Sequence, residues 1–272
     1  MEPFERVEDY EIIDFHTHPF FSYDSNICFY KDTVKMSVGQ ITDDLAKAGI
    51  SRFCGAVVQF SDKFDPDMSL WDMVHFCNTK AIELSEAWGN VYIPGFNIHP
   101  EFPRQSCDEI ESMAQKGIKL MGELVPYFFK WKNEYGPGAL DDILECAAAN
   151  GMIVNFHTTE SHDEMNAMVK RHPNVIFVAA HPGEPWEFEH QLERMEMSEN
   201  YYVDLSGYGL FRHGMLAAGI KRFGAERFIF GSDYPTCNPY MYVGGVLLDP
   251  MLSRSDKELI FSGNAKRLLG LV

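Results

Sequence analysis

Eight short runs rich in apolar and β-branched residues, separated by segments of helical periodicity, set the strongest limit on how this chain can fold. Several of these runs are apolar on consecutive residues, which is typical of strands buried on both faces of a parallel sheet. Parallel strands joined by helices form right-handed crossover units, and eight such units favour a closed barrel over an open sheet. We therefore predict an α/β fold, a single (β/α)₈ TIM barrel. The predicted strands are Glu11–Phe15, Arg52–Phe60, Val91–Ile98, Ile118–Val125, Met152–His157, Val175–His181, Tyr201–Leu205 and Phe228–Gly231.

Seven segments between the strands carry apolar side chains at three- and four-residue spacing, which is typical of amphipathic helices. One of them is followed by Asn150 and Gly151, a pair that often ends a helix. Ser161, with Glu164 three residues later, has the pattern of a capping box at a helix start. The predicted helices are Ser37–Ala48, Ser69–Trp88, Ser106–Gln115, Ala139–Ala149, Ser161–Arg171, Leu210–Phe223 and Ser255–Leu269.

Composition and charge define the broad class of protein. Apolar residues make up 46% of the chain and no linker-like segment divides it, so we predict that residues 1–272 form one domain. With a net charge of −17, no basic face is available for phosphate groups, and nucleic acids and anionic membranes are not expected partners. An acidic start without an apolar stretch, together with six scattered cysteines, predicts a cytoplasmic protein with reduced thiols.

Four of the connections that follow strands are long, and in a barrel such connections form the active-site face. The first and the fourth are rich in aromatic residues, among them Phe29, Tyr30, Tyr127 and Phe128. Two interpretations stay open: the rings roof a pocket for an apolar or aromatic substrate, or they only pack the loops onto the barrel. The four connections are Pro19–Lys35, Ser61–Ser69, Pro126–Gly138 and Tyr234–Arg254.

The first strand closes with Asp14-Phe15-His16-Thr17-His18, in which two histidines are two residues apart. Side chains i and i+2 of a strand share a face, so His16 and His18 can hold one cation together. Three later strands also end in potential ligands, and the carboxyl ends of barrel strands converge on one axis. Imidazoles with one carboxylate suit Zn²⁺, and also Fe²⁺ or Mn²⁺. The candidate ligands are His16, His18, His157, His181 and Asp233.

Nearly the whole chain resembles the amidohydrolase superfamily, in particular the amidohydrolase-related branch that includes the aminocarboxymuconate-semialdehyde decarboxylase-like enzymes. The resemblance rests on DFHTH at the first strand, NFHT at the fifth, AAHPG at the sixth, FIFGSDYP at the eighth and the closing GNAKRLLGL. It implies a barrel of the metallo-dependent hydrolase type. It also implies that His16, His18, His157 and Asp233 bind a divalent metal, one or two ions, for which we expect Zn²⁺ with Mn²⁺ or Fe²⁺ as alternatives. The resemblance further implies that His181 binds a second metal or contacts substrate and water.

The fourth strand departs from the pattern of binuclear members of the family, which often carry a carboxylated lysine there. Here the strand reads Lys119-Leu120-Met121-Gly122-Glu123-Leu124, and Glu123 lies nearer the expected carboxyl end. A glutamate bridges two metals in the related TatD-like deoxyribonucleases. We therefore expect Glu123 to be a metal ligand or a direct site residue. A hydrogen-bonding role behind the ligands, or a carboxylated Lys119 in its place, are the alternatives.

This set of residues predicts an enzyme, and we expect a metal-dependent hydrolase that acts on a small amide, lactone or ester. A bound divalent cation brings the pKa of its water to about 7, and Asp233 can take the proton and pass it to the leaving group. The alternative is a metal-dependent non-oxidative decarboxylase, in which Asp233 helps to protonate the carbon that loses CO₂. The complete ligand set argues against a non-catalytic barrel, and the acidic charge argues against a TatD-like nuclease.

Further residues are expected around the site. His99 and Tyr234 follow the third and eighth strands and are predicted to contact the substrate. Asn155 and Asp204 are predicted to support the ligating imidazoles, because metal-bound histidines usually donate their second ring nitrogen to such partners. The other histidines lie in predicted helices or their caps and are expected to be surface or packing residues. The expected partner is a small-molecule substrate, and a homodimer is compatible with the fold.

Overall fold

A computed structural model describes residues 5–271 and contains eight parallel strands arranged in sequence order. Each strand pairs with the next, from Ile13 beside Arg52 in the first pair to Asp204 beside Ile229 in the last. This order is the one that repeated βα crossovers produce. The strands are β1 (Ile13–Asp14), β2 (Arg52–Ala56), β3 (Tyr92–Phe96), β4 (Leu120–Leu124), β5 (Ile153–His157), β6 (Ile176–Ala180), β7 (Tyr201–Asp204) and β8 (Phe228–Ile229).

Backbone hydrogen bonds between the first and last strand segments close the sheet. The Phe15 N–H donates to the Phe230 carbonyl at 2.9 Å, and the Asp233 N–H donates to the His16 carbonyl at 2.9 Å. Both bonds lie just beyond the short strands β1 and β8, so the closure continues to the carboxyl edge of the sheet. The predicted (β/α)₈ barrel is therefore confirmed.

Helices cover the outside of the barrel between the strands. The longest, α3, begins after Ser69, whose side chain accepts a hydrogen bond from the Asp72 N–H. No helix within residues 5–271 is both long enough and apolar enough to cross a membrane. The helices are α1 (Lys31–Val34), α2 (Ile41–Lys47), α3 (Leu70–Trp88), α4 (Pro103–Gln115), α5 (Ala139–Ala149), α6 (His162–Arg171), α7 (Pro185–Met197), α8 (Met215–Phe223), α9 (Pro239–Leu247), α10 (Arg254–Glu258) and α11 (Asn264–Leu269).

The strands bury apolar side chains on both faces, which explains the consecutive apolar residues in the sequence. Along β5, Val154 and Phe156 join the large cluster between strands and helices, whereas Ile153 joins a second cluster. Seven strands contribute to this second cluster, so it lies inside the barrel, and α11 closes its amino-terminal end. We call it the inner cluster; it comprises Ile13, Phe15, Cys54, Leu120, Ile153, Val178, Tyr202, Ile229, Ala265 and Leu269.

Three helices, α1, α7 and α9, lie outside the predicted helix ranges. The sequence does carry a signal for α7, because Phe188, Leu192 and Met195 have the spacing of an amphipathic helix and are buried, while most of its other residues are polar or charged. The segment of α9 is apolar almost throughout and contains Gly244 and Gly245, so it lacks the stripe that predicts an amphipathic helix. The long eighth connection is thus partly helical.

Several element ends also differ from prediction. The second strand ends at Ala56 rather than at Phe60, because the chain leaves the sheet to form the next connection. Ser161 precedes α6, but its side chain makes no capping hydrogen bond, so the predicted capping box is wrong. The predicted helix end at Asn150 and Gly151 is confirmed, since α5 ends at Ala149 and Gly151 has a φ of 64°.

Candidate metal centre

The two histidines that follow β1 direct their Nε2 atoms into the same space, 3.3 Å apart. Their other ring nitrogens face the scaffold: His16 Nδ1 lies 2.9 Å from Asp204 Oδ2, and His18 Nδ1 lies 3.3 Å from the Ala56 carbonyl oxygen. Acceptors at these positions favour a proton on Nδ1 and leave the Nε2 lone pairs available to a metal.

Glu123 contacts imidazoles from three different strands. Its Oε2 atom lies 3.1 Å from His18 Nε2 and 3.3 Å from His16 Nε2. Its Oε1 atom lies 2.9 Å from His157 Nδ1 and 3.5 Å from His181 Nε2. The two oxygens of one carboxylate therefore face two separate pairs of imidazoles, an arrangement suited to one ion or to a pair of ions.

Asp233, which follows β8, completes the cluster. Its Oδ1 atom lies 3.6 Å from His18 Nε2 and 3.9 Å from His16 Nε2. Asp233 and His181 both have positive φ angles, of 58° and 69°. Such backbone conformations cost non-glycine residues on the order of 1 kcal/mol and are concentrated at functional sites.

Two buried carboxyl groups at the centre, those of Glu123 and Asp204, have lowered pKa values. Burial alone would raise the pKa of Glu123, but His16 and His157 outweigh it and hold that pKa well below its usual range. Burial likewise opposes ionisation of Asp204, but His16 lowers the pKa of that carboxyl below its usual value. Burial would lower the pKa of His16, yet Asp204 and Glu123 together raise it well above normal.

This charge balance tests whether a metal fits the site. Glu123, Asp204 and Asp233 are three largely buried carboxylates. None of the lysines or arginines in residues 5–271 forms an ion pair with them. Protons on the imidazoles balance this charge without a metal, and a divalent cation would take the place of those protons, because imidazole nitrogens with carboxylate oxygens are the donors that divalent transition metals prefer. The donor set therefore fits a divalent cation.

A layer of hydrogen bonds behind the imidazoles fixes their orientation. Asp204 receives a hydrogen bond from Asn155 Nδ2 at 3.0 Å, so both residues lie where the sequence predicts support for the imidazoles. Ser206 Oγ, which the sequence analysis does not single out, lies 3.0 Å from the Nδ1 atoms of both His16 and His181. Its position two residues after Asp204, beyond the end of β7, is the signal that could have identified it.

Gly207 lets the loop after β7 approach His181 closely. Its φ is 58°, and a Cβ atom built there would lie 2.2 Å from His181 Nδ1. A side chain at this position would displace the imidazole, so the glycine is part of the support for His181.

Two residues expected to contact substrate, and the alternative ligand Lys119, lie away from the cluster. His99 is fully buried, with Nε2 2.9 Å from the Phe129 carbonyl oxygen and Nδ1 accepting the Glu101 N–H at 3.1 Å. Both ring nitrogens are thus engaged in holding loops, which corrects the expectation of substrate contact. Tyr234 is also buried, and its hydroxyl lies 3.5 Å from Asp44 Oδ2 rather than on the cavity wall. The alternative of a carboxylated Lys119 is wrong, because Lys119 is exposed and its Nζ lies beside Gly270, which follows α11 at the closed amino-terminal end of the barrel.

A cavity of about 490 Å³ opens above the cluster, with His18, Glu123, His157, His181 and Asp233 in its wall. Both interpretations of the aromatic loops hold in part, since some rings line this cavity while Phe129, Trp131 and Tyr135 are buried in the core. The loop after β7 and the helix α9 supply further rings that the sequence does not reveal. The aromatic wall residues are Phe29, Phe60, Tyr127, Phe128, Tyr208, Phe211 and Tyr242.

The barrel and its cluster of histidines and carboxylates define an enzyme of the amidohydrolase superfamily, with a candidate site for a divalent metal. The model of the amidohydrolase family matches residues 13–271, and the chain belongs to this family. The resemblance found in the sequence motifs is therefore confirmed. No curated protein matches the chain.

Solved structures share the fold over almost the whole chain. A TIM-barrel protein from Bordetella bronchiseptica has a TM-score of 0.78 and 20% identity, over 96% of this chain and 99% of its own. The 2,6-dihydroxybenzoate decarboxylase from Rhizobium has a TM-score of 0.74 and 13% identity, over 96% and 99%. A dihydroxybenzoic acid decarboxylase from Polaromonas sp., with bound manganese and the inhibitor 2-nitroresorcinol, has a TM-score of 0.69 and 14% identity, over 96% and 97%. These identities are low, so the likeness concerns the fold.

Proposed function

We propose that this protein is a metal-dependent non-oxidative decarboxylase that acts on a small aromatic carboxylic acid. The observation that carries the proposal is the cavity of about 490 Å³, whose walls are mostly aromatic and whose floor is the cluster of histidines and carboxylates. Similarity to two decarboxylases of dihydroxybenzoates supports the same activity. We therefore prefer decarboxylation, although the sequence motifs alone favour hydrolysis.

The residues that would hold the cation are His16, His18, His157 and Asp233, with Glu123 between the two pairs of imidazoles. Mn²⁺ and Zn²⁺ both suit this mixture of nitrogen and oxygen donors. A bound divalent cation would supply Lewis acidity toward the oxygens of the substrate. The polypeptide must then supply orientation, exclusion of water and a proton.

Asp233 is the residue best placed to deliver that proton. Asp233 lines the cavity and as a whole residue is 8% exposed, so its side chain is positioned to meet a bound substrate rather than bulk water. In the proposed reaction the bond between the ring carbon and the carboxylate carbon breaks and CO₂ leaves. Asp233 must first take a proton from water, because an ionised carboxylate has none to give. The electron pair of the broken bond stays on the ring carbon and takes that proton, so that a C–H bond replaces the C–C bond and Asp233 is ionised again.

His181 is suited to orient the substrate. Burial lowers its pKa, so the imidazole is neutral at physiological pH. Ser206 lies 3.0 Å from its Nδ1, which favours a proton there and leaves Nε2 as an acceptor for a substrate hydroxyl group. Tyr127 packs edge-on against His157 at 5.6 Å between ring centroids and shields this side of the cluster from water.

The test is turnover by the protein loaded with Mn²⁺ in D₂O, with a panel of hydroxybenzoates. We expect CO₂ in a one-to-one ratio with product, and one deuterium on the carbon that carried the carboxylate. Replacing Asp233 with Asn should lower turnover by about 10²-fold or more, because general acid catalysis contributes on that order. Release of acid from lactones or N-acyl amino acids, with no CO₂ from any carboxylate, would refute the decarboxylase.

A hydrolase of a small amide, lactone or ester is the second candidate, and Glu123 is the observation that favours it. A carboxylate whose two oxygens face two pairs of imidazoles suits a centre of two ions. In that case Asp233 would take a proton from the attacking water. Two metal equivalents per chain, together with turnover of the lactone panel, would support this candidate over the first.

A further inference from the structure

The wall of the cavity carries carboxylates and aromatic rings, and its basic side chains are the histidines of the candidate metal centre. Its charged residues are Glu123 and Asp233, and among the residues that the structure describes no lysine or arginine lines it. Tyr127, Tyr208 and Thr236 add uncharged side chains that carry hydroxyl groups to the wall. A ligand above the cluster therefore meets surfaces that favour uncharged groups.

A cation that lies near the cavity is already paired. Arg212 stacks on the ring of Phe211, with its guanidinium carbon 4.9 Å from the ring centroid. Its Nε and Nη2 atoms donate to the two carboxylate oxygens of Glu184, each at 2.9 Å. Such a two-point contact fixes the guanidinium in place and neutralises it. Phe211 lines the cavity, but Arg212 does not.

Charge then limits what the cavity can bind. One carboxylate of a ligand can be neutralised at the cluster by the bound divalent cation. A second carboxylate beside Phe128 or Tyr242, the buried rings of the wall, would lose water without gaining a counter-ion. Transfer of an unpaired charge into such surroundings is strongly unfavourable, and the protein's net charge of −17 adds to the repulsion.

We propose that the cavity selects substrates with a single anionic group and an uncharged aromatic body, and that it rejects dicarboxylates. This inference rests on the proposed function, in which the anionic group is the carboxylate that leaves. It goes beyond that function because it states which aromatic acids the site discriminates against.

The test compares two ligands of nearly the same shape, 3-carbamoylbenzoate with one negative charge and benzene-1,3-dicarboxylate with two. Binding of each to the protein loaded with Mn²⁺ is measured by titration calorimetry, which does not depend on turnover. We expect the dicarboxylate to bind about tenfold more weakly or worse, a difference of about 1.4 kcal/mol.

Variants that place a cation on the wall should reverse this preference. Phe211→Arg and Tyr208→Arg each alter a wall residue that is at least 60% exposed, so neither substitution disturbs the core. We expect each to strengthen binding of the dicarboxylate about tenfold, with a smaller change for 3-carbamoylbenzoate. The control is Tyr240→Arg, because Tyr240 is 50% exposed and lies in α9, two residues before the wall residue Tyr242, but does not itself line the cavity.

The outcomes separate the two proposals. Equal binding of the two ligands by the unaltered protein would overturn the charge selectivity and leave the decarboxylase proposal standing. Failure to bind either ligand would overturn both, since an aromatic carboxylate would then not be a ligand of this site. An unchanged ratio in both arginine variants would also overturn the selectivity, because the missing cation would not be its cause.

Discussion

The two ends of the barrel interior differ sharply although the same strands build both. Along β5 the residues Ile153, Asn155 and His157 follow one another at two-residue spacing, from the inner cluster to the candidate metal centre. Ile153 is fully buried in the apolar inner cluster, whereas His157 Nδ1 lies 2.9 Å from Glu123 Oε1. One face of β5 thus carries an apolar core residue at its start and a candidate metal ligand at its end, within five residues.

The energetics of the two ends are opposite in sign. Each fully buried aliphatic side chain of the inner cluster contributes about 1.5–3 kcal/mol to folding. Buried carboxylates and imidazoles at the other end are unfavourable unless they are paired with each other or with a cation. Apolar packing at the amino end therefore offsets the unfavourable free energy of burying carboxylates and imidazoles at the carboxyl end. Substitutions at one end should therefore leave the property of the other intact.

The largest effect is expected at the carboxyl end. The double substitution His16→Ala and His18→Ala removes both imidazoles that lie within 3.3 Å of Glu123 Oε2. We expect protein purified without chelator to lose its bound metal, measured by elemental analysis, while circular dichroism shows an intact fold. His75→Ala, which alters an exposed histidine of α3, is the control. Full metal content in the double variant would show that the site is elsewhere.

At the amino end, Ile153→Ala should lower the free energy of unfolding by about 2–5 kcal/mol, because it leaves a cavity in the inner cluster. Denaturant titration measures this loss. We expect the metal content to be unchanged, and Ile153→Val to cost about 1 kcal/mol. A parallel loss of metal would break the comparison, since it would show that the two ends are not independent.

Asp204→Asn tests the layer between the two ends. Asp204 holds His16 Nδ1 at 2.9 Å, and asparagine keeps the shape but removes the charge. Loss of such support typically weakens metal binding about 10–100-fold. Competition with a chelating dye measures the affinity. Tyr202→Phe, two residues earlier on β7 and in the inner cluster, should leave the affinity unchanged.

The smallest effect is expected outside the barrel, where Asp141 of α5 accepts hydrogen bonds from Arg171 and His172. These bonds outweigh the effect of burial and hold the pKa of Asp141 below its usual value. The unfolded chain therefore binds this proton more readily, so the ion pair stabilises the fold at neutral pH and ceases to do so as the pH falls through the folded-state pKa. We expect Asp141→Asn to cost about 1 kcal/mol at pH 7.

This difference should shrink below about pH 4 as the carboxyl group protonates. Denaturant titrations at several pH values check the trend, and the metal content should not change. A cost that is independent of pH would mean that packing, rather than charge, explains the effect.

The sequence predicts the barrel because two-sided burial leaves consecutive apolar residues, as at Ile153 and Val154. The sequence predicts the candidate metal centre because residues at the carboxyl ends of barrel strands converge on one axis, whatever loops follow them. It does not reveal Tyr208 and Phe211, because a ring on a loop has no periodic pattern that marks the direction of its side chain. His99 shows the converse error, since its place after a strand gives no sign that the loop after β4 would cover it.

The closed amino-terminal end of the barrel determines how substrate enters and product leaves. Because the inner cluster and α11 fill the amino-terminal end of the barrel, the cavity above the candidate metal centre opens only at the carboxyl end, where aromatic rings line its entrance. Substrate and product must use the same passage in opposite directions. Bulk added at the rim should therefore slow arrival and departure together, and such a change would alter both rate constants while leaving the equilibrium affinity nearly constant.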